Sequence, residues 1–88
     1  MKLKCEFVIS NIADEIVAVP VGERAKYYHL VLKLNEESQK IIELLQKNAS
    51  IEDISAEIKK EYSVEENQLR KYIVEFIDHL KEYDLIEE

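Results

Sequence analysis

The feature that most constrains the fold of this chain is a change of hydrophobic period at Asn35. In residues 27–34 the side chains alternate between an apolar and a mixed face, which is the period of a half-buried strand. Apolar residues at 41–45 instead recur at helical spacing. Asn35 can cap the first free amides of this helix, and Glu36 and Glu37 place negative charge where the helix dipole favours it. The sequence therefore predicts a strand that runs directly into a helix.

Two further strands are predicted upstream of this segment. Residues 4–10 alternate in polarity, and residues 16–19 form an aliphatic, mostly β-branched run, with turn residues between them. Because Pro20 cannot donate to a ladder, regular pairing is expected to stop near Val19. Gly22 lies in a predicted hairpin loop before the third strand. Short connections favour a meander in chain order, which makes the first and third strands the edges.

Three helices are predicted after the strands. The first covers residues 36–47, the second begins at Ser50 with a capping-box-like partner at Asp53, and the third covers residues 64–83 with a similar signal at Ser63. The apolar centre of the third helix is predicted to contain Leu69, Ile73, Phe76 and Leu80, flanked by Tyr72 and Ile77. Leu85 and Ile86 are expected to fold back onto the core. The predicted fold is α+β and winged-helix-like, a three-stranded antiparallel sheet followed by three α-helices.

Length and composition exclude several classes of protein. A chain of 88 residues is expected to form a single domain over residues 1–88 with one modest core. A net charge of −7 disfavours binding to nucleic acid and to anionic membranes. Neither a signal peptide nor a segment of transmembrane length is recognisable, and Cys5 is the only cysteine. These observations predict a reduced, cytoplasmic protein.

The sequence carries no pattern that predicts catalysis. His29, His79 and Cys5 are the only imidazole and thiol groups, and no motif connects them. A Cys/His metal site needs about four ligands at short spacings, which are absent. One glycine cannot form a glycine-rich phosphate loop. The prediction is therefore a protein that is not an enzyme and has no cofactor or metal.

The predicted third strand carries the most informative functional signal. Residues 27–33 contain no proline or glycine and no fixed charge before Lys33, whereas Lys2, Lys4 and Glu6 on the first strand discourage edge pairing. An exposed edge of this kind can bind an extended peptide as an additional strand. The alternative is that the third strand is central and is covered by another strand. Spacing alone leaves both arrangements open.

Several short motifs together resemble a known family. They are Val17-Ala18-Val19-Pro20, Leu34-Asn35-Glu36, Ile42-x-x-Leu45, Ser50-Ile51-Glu52-Asp53-Ile54, Tyr62-Ser63-Val64, Phe76-x-x-x-Leu80 and Leu85-Ile86. Each motif is weak alone, but their order and spacing resemble the PqqD family, the small proteins of pyrroloquinoline quinone biosynthesis. The resemblance covers nearly the whole chain.

This resemblance implies a RiPP precursor peptide recognition element. Such domains bind the leader segment of a ribosomally made precursor peptide and present it to a modifying enzyme, without doing chemistry themselves. The enzyme is often a radical S-adenosylmethionine protein, and elsewhere a cyclase, a dehydratase or a leader peptidase. In the family the leader lies as an added strand along the third strand, with the third helix as the other wall. The implied strand residues here are Tyr27, Tyr28, His29, Leu30, Val31, Leu32 and Lys33.

Two flanks of the third helix can form the second wall of this groove. One flank combines apolar and cationic residues and is the predicted wall; it contains Arg70, Val74, Ile77 and Lys81. It suits an amphipathic leader with a hydrophobic anchor and a carboxylate. The other flank contains Tyr72, His79 and Tyr83. Arg70 and Lys81 can instead simply pair with nearby glutamates.

Other functions remain open at this point. The main alternative is an acidic winged-helix module that scaffolds a protein complex or a regulator, and a weaker one is a small enzyme subunit. The open edge of the third strand can also pair with a second copy of the chain and form a homodimer.

Overall fold

The computed structural model describes residues 1–87 and is an α+β fold. The strands are β1 (Lys2–Leu3), β2 (Glu6–Ile12), β3 (Glu15–Val21), β4 (Leu32–Leu34) and β5 (Ile86–Glu87), and a 3-10 helix covers Glu23–Tyr27. The helices are α1 (Glu36–Gln46), α2 (Ile51–Glu61) and α3 (Glu66–Glu82). None of the helices in this part of the chain has the length and apolar character needed to cross a membrane.

A three-stranded antiparallel sheet in the order β2-β3-β4 precedes the helices. The predicted meander is confirmed, and the alternative in which the third strand is central is wrong. The strands β1 and β5 form a second, two-stranded sheet that the sequence did not predict. There Leu3 lies opposite Ile86, and the Lys4 N–H donates to the Leu85 carbonyl at 2.8 Å. This contact ties both ends of the described chain together, and Leu85 and Ile86 are buried as predicted.

The hairpin between β2 and β3 has a turn of two residues, Ala13 and Asp14, both with positive φ (50° and 66°). A two-residue turn with two left-handed positions matches the twist of its flanking strands. It also lets the ladder extend from Glu6 opposite Val21 to Ile12 opposite Glu15. The strand β2 therefore lies two residues later than the predicted strand 4–10, and β3 is longer than the predicted strand 16–19. Asp tolerates the left-handed region, whereas alanine is strained there.

We expect the double change Ala13→Asn with Asp14→Gly to stabilise the fold. Asn-Gly is the preferred pair for this turn, and relief of the strained alanine is worth about 1 kcal/mol. For a domain of this size, that corresponds to a rise in Tm of about 4–8 °C. Asn48→Gly is the matched control, because Asn48 already tolerates its positive φ of 62°. Thermal unfolding followed by circular dichroism measures both, and a Tm that does not rise in the double variant would contradict the strain.

Pro20 does not end the ladder with β2, as the sequence suggested, but lies within β3 opposite Phe7. The Phe7 N–H points away from β3, because it donates to Oε1 of Gln46 at 3.1 Å. Phe7 and Pro20 are therefore a non-hydrogen-bonded pair, and the missing N–H of Pro20 faces β4 instead of β2. The ladder between β3 and β4 ends before Pro20, at Ala18 opposite Leu32. The proline thus shortens β4 and leaves the pairing with β2 intact.

The helices pack a continuous core against one face of the sheet. Its fully buried large side chains are Ile41, Ile42, Leu45, Ile54, Ile58, Ile73, Ile77, Leu80 and Leu85. The predicted orientation of α3 is wrong in one respect, because Ile77 is only 2% exposed whereas Phe76 is half-buried at the margin of the core. The apolar stripe of α3 is therefore turned toward Ile77, and Phe76 becomes accessible from one side.

Capping side chains fix the ends of the helices. Asn35 and Ser38 form a capping box at α1, and Ser50 and Asp53 form the predicted one at α2. The cap of α3 is Glu65 instead of the predicted Ser63, since its carboxylate accepts from the N–H groups of Asn67 and Gln68 at 3.1 and 2.9 Å. Each cap satisfies amide groups that the first helical turn leaves unpaired.

Candidate functional site

The outer edge of β4 has no strand partner among residues 1–87. Successive residues of a strand point their N–H and C=O groups alternately toward the two neighbouring strands. The direction of Pro20 within β3 therefore determines which backbone groups of β4 point outward. Leu32 and Leu34 lie opposite Ala18 and Ile16 and exchange hydrogen bonds with β3. Lys33 therefore points its N–H and C=O to the open side. Continued alternation predicts the same outward direction for Val31, which directly precedes the strand. This edge offers unpaired donors and acceptors to another chain.

The predicted third strand is shorter in the structure than residues 27–33. Tyr27 ends the 3-10 helix, and only Leu32–Leu34 pair with β3. The alternation nevertheless persists through the whole segment, since Tyr28, Leu30, Leu32 and Leu34 are half-buried and Tyr27, His29, Val31 and Lys33 are exposed. Val31 is 57% exposed. The segment 28–31 therefore continues the face pattern of β4 without being held by the ladder.

Two tyrosine hydroxyls connect this segment to α3. The hydroxyl of Tyr28 donates to the carbonyl of Asp84 at 2.9 Å, just beyond the end of α3. The hydroxyl of Tyr72 donates to Oδ1 of Asn35 at 3.2 Å, just beyond the end of β4. Residues 28–35 therefore run beside α3 in the opposite direction. We call the surface between this segment and α3 the edge groove.

The flank of α3 that faces the edge groove is the one that carries Tyr72 and Phe76. Arg70 lies on the opposite flank, where its Nη2 contacts Oε1 of Glu52 in α2 at 3.1 Å. Val74, 37% exposed, and Lys81 share that flank on the helical wheel. Ile77 is in the core and presents almost no surface. The structure thus separates Arg70, Val74, Ile77 and Lys81 from the strand residues with which they were grouped.

The sequence predicts Tyr72 only as part of the alternative flank, and it predicts Phe76 in the apolar centre of the helix. The signal that could have identified both is an aromatic pair at positions i and i+4 on one flank of a helix that otherwise carries aliphatic core residues. Among residues 1–87, no group of three or more side chains is arranged to hold a metal ion. The structure does bring together the open backbone edge of β4 and an aromatic wall, which consists of Tyr72 and Phe76.

A cleft of about 420 Å³ lies at the Asn35 end of the edge groove, where the start of α1, the end of α2 and the start of α3 meet. Ile58 and Leu69 form its floor, and Tyr62 and Tyr72 are part of its walls. Desolvation of Tyr62 and the nearby Glu36 carboxylate raise the pKa of Tyr62. The Tyr62 hydroxyl donates to Oε2 of Glu36 at 3.3 Å. The cleft is therefore mainly apolar inside and acidic outside.

Two solved structures are similar to this chain over nearly its full length. A structure of TbiB1 in complex with the TbiA(beta) leader peptide has a TM-score of 0.73 and 25% sequence identity, and covers 99% of this chain and 95% of that one. A structure of lasso peptide synthetase B1 complexed with the leader peptide has a TM-score of 0.70 and 21% identity, with coverage of 99% and 96%. At this identity the second similarity concerns the fold alone.

A comparison with curated proteins found no match. The family described as coenzyme PQQ synthesis protein D (PqqD) matches residues 15–86, which include β3, the open edge of β4 and all three helices. The order of motifs in the sequence, the fold and this match agree with one another. The chain belongs to the PqqD family.

Proposed function

We propose that this protein binds the leader segment of a ribosomally synthesised precursor peptide and presents it to a modifying enzyme. The leader adds to the open edge of β4 as a further strand and lies in the edge groove. The whole chain, residues 1–88, acts as one peptide-recognition domain and does no chemistry itself. The partner enzyme is a radical S-adenosylmethionine protein, a cyclase or a leader peptidase.

The observation that carries this proposal is the unpaired edge of β4 beside an aromatic wall. Exposed edges are normally covered or protected by charge, proline or a bulge. Here the other edge of the sheet is partly covered, because Gln46 accepts the Phe7 N–H. The β4 edge has Lys33 as its single charged side chain in residues 28–34. Membership of the PqqD family and the leader complex of TbiB1 support a peptide as the additional strand.

The site that we propose keeps the predicted strand residues except Tyr27, which ends the 3-10 helix, and changes the helix residues. Tyr28 to Lys33 supply the strand side, with Val31 and Lys33 as the outward backbone positions. Tyr72 and Phe76 supply the helix side in place of Arg70, Val74, Ile77 and Lys81. This choice rests on the two tyrosine hydrogen bonds, which align α3 with the segment, and on the Arg70–Glu52 ion pair, which turns the other flank toward α2.

The experiment that tests the proposal is a titration with the leader segment of a precursor peptide encoded beside the gene for this protein. We expect saturable binding by fluorescence anisotropy of the labelled leader. We also expect amide chemical-shift changes that concentrate at Val31, Lys33 and the Tyr72 flank of α3. A scrambled peptide of the same composition is the control. Absence of saturable binding would contradict the proposal, and shifts confined to Arg70 and Val74 would move the groove to the other flank.

A further inference from the structure

The cleft beside the edge groove offers a second contact for a bound peptide. Asn35, which follows β4 directly, and Tyr72, which faces the groove, both line the cleft. A strand that pairs with β4 and continues past Leu34 therefore reaches the cleft at the hydrogen bond between Tyr72 and Asn35. We infer that the cleft receives an aromatic or large aliphatic side chain of the leader, and that this anchor lies next to a lysine or arginine. The inference rests on the proposed function.

The interior of the cleft favours an apolar anchor. Ile58 and Leu69 form a floor of core side chains, and Val64 on the wall is 45% exposed although it is aliphatic. The volume of about 420 Å³ is within the range of about 300–1,000 Å³ that is typical of small-ligand sites. Filling the cleft would remove the exposed surface of Val64 and of the two tyrosine rings from water, which is favourable.

The rim of the cleft favours a cation beside that anchor. Glu37 lines the cleft and forms no salt bridge within the described part of the chain. Neighbouring carboxylates are engaged, since Glu61 pairs with Lys40 and Glu66 pairs with Lys59. Glu36 accepts the Tyr62 hydroxyl and is not part of the cleft lining, whereas Glu37 is the carboxylate that lines the cleft. A neighbouring lysine or arginine of the peptide would complement it.

A selection from a phage-displayed library of random 16-residue peptides, with the full chain as bait, tests the inference. We expect the enriched peptides to carry an aromatic or large aliphatic residue within two positions of a lysine or arginine. We expect Val64→Asp to weaken these peptides about tenfold, because it places a charge in the apolar wall. Val74→Asp is the matched control and should change their affinity less than twofold, since Val74 lies on the flank that faces α2.

A charge reversal at the rim provides a readout that a loss of stability would not produce. With Glu37→Lys as bait, we expect the enriched residue beside the anchor to change from basic to acidic. Asp78→Lys changes the net charge by the same amount on an exposed part of α3 and should leave the basic preference intact. Circular dichroism confirms that each bait is folded before selection.

The possible outcomes separate this inference from the proposed function. If no peptide is enriched on the wild-type protein, the proposed function fails and the inference fails with it. A second outcome is that enriched peptides lose affinity when the Val31 N–H is removed but bind the Val64→Asp and Glu37→Lys variants like the wild type. In that case the edge groove binds peptide and the cleft does not. If Val64→Asp instead converts a dimer into a monomer in sedimentation velocity, the occupant is a second copy and the inference is overturned.

Discussion

Val31→Pro is expected to weaken leader binding by about 1–2 kcal/mol, or about 5–30-fold. Proline removes the outward N–H at this position and restricts the local backbone, so that the added strand loses one hydrogen bond and fits less well. The domain should stay folded, because Val31 is 57% exposed and lies outside the ladder between β3 and β4. Titration of the labelled leader measures the effect on binding, and thermal unfolding measures the effect on stability.

Val31→Ala is the matched control for this change. It removes most of the side chain but keeps the N–H, so it should bind the leader within about threefold of wild type if backbone pairing is the main contact. Equal losses in both variants would show that the side chain of Val31, and not its backbone, contacts the peptide. Wild-type affinity in a folded Val31→Pro variant would remove the β4 edge from the site.

The order of elements could be predicted from the sequence because period and capping are local properties. The change of period at Asn35 and the Ser50–Asp53 box both lie where expected. The meander also followed from short connections. These features depend on residues close together in the chain, and no tertiary information is needed to recognise them.

The length of β4 could not be predicted, because it depends on the direction in which Pro20 faces. That direction follows from the pairing of Phe7 with Pro20 and from the bond between Phe7 and Gln46, which join three separate segments. The small sheet of β1 and β5 was missed for a related reason. Strands of two residues are too short to show a period, and they form here because the two ends of the chain lie side by side.

Only one side of the candidate site has a signal in the sequence. The open edge followed from a stretch without proline, glycine or early charge, and the structure leaves that edge unpaired within residues 1–87. The helix wall that we propose could not be predicted, because Phe76 and Ile77 are both apolar and fit a helical stripe equally well. Which of them is buried depends on the elements that pack against α3. The cleft had no sequence signal, since three elements contribute its lining.

The second large effect is expected at Phe76, which distinguishes the two flanks of α3. A fully buried Phe side chain contributes about 1.5–3 kcal/mol, and Phe76 is half-buried before any peptide binds. Covering the rest of the ring should therefore contribute about 1–1.5 kcal/mol to binding, so Phe76→Ala is expected to weaken the leader about tenfold. The double variant Arg70→Glu with Lys81→Glu should change affinity less than twofold at moderate salt, because that flank faces α2.

Phe76 also packs against the core, so a loss of stability must be distinguished from a loss of contact. Phe76→Leu keeps an apolar side chain at the margin of the core, and we expect it to recover most of the affinity lost in Phe76→Ala. Binding is measured well below the Tm of each variant, where every protein is folded. If Phe76→Ala binds like wild type and the Arg70→Glu/Lys81→Glu variant does not, the leader contacts the cationic flank. In that case the peptide would have to cross α3 toward α2, where the Arg70–Glu52 ion pair would have to open to admit it.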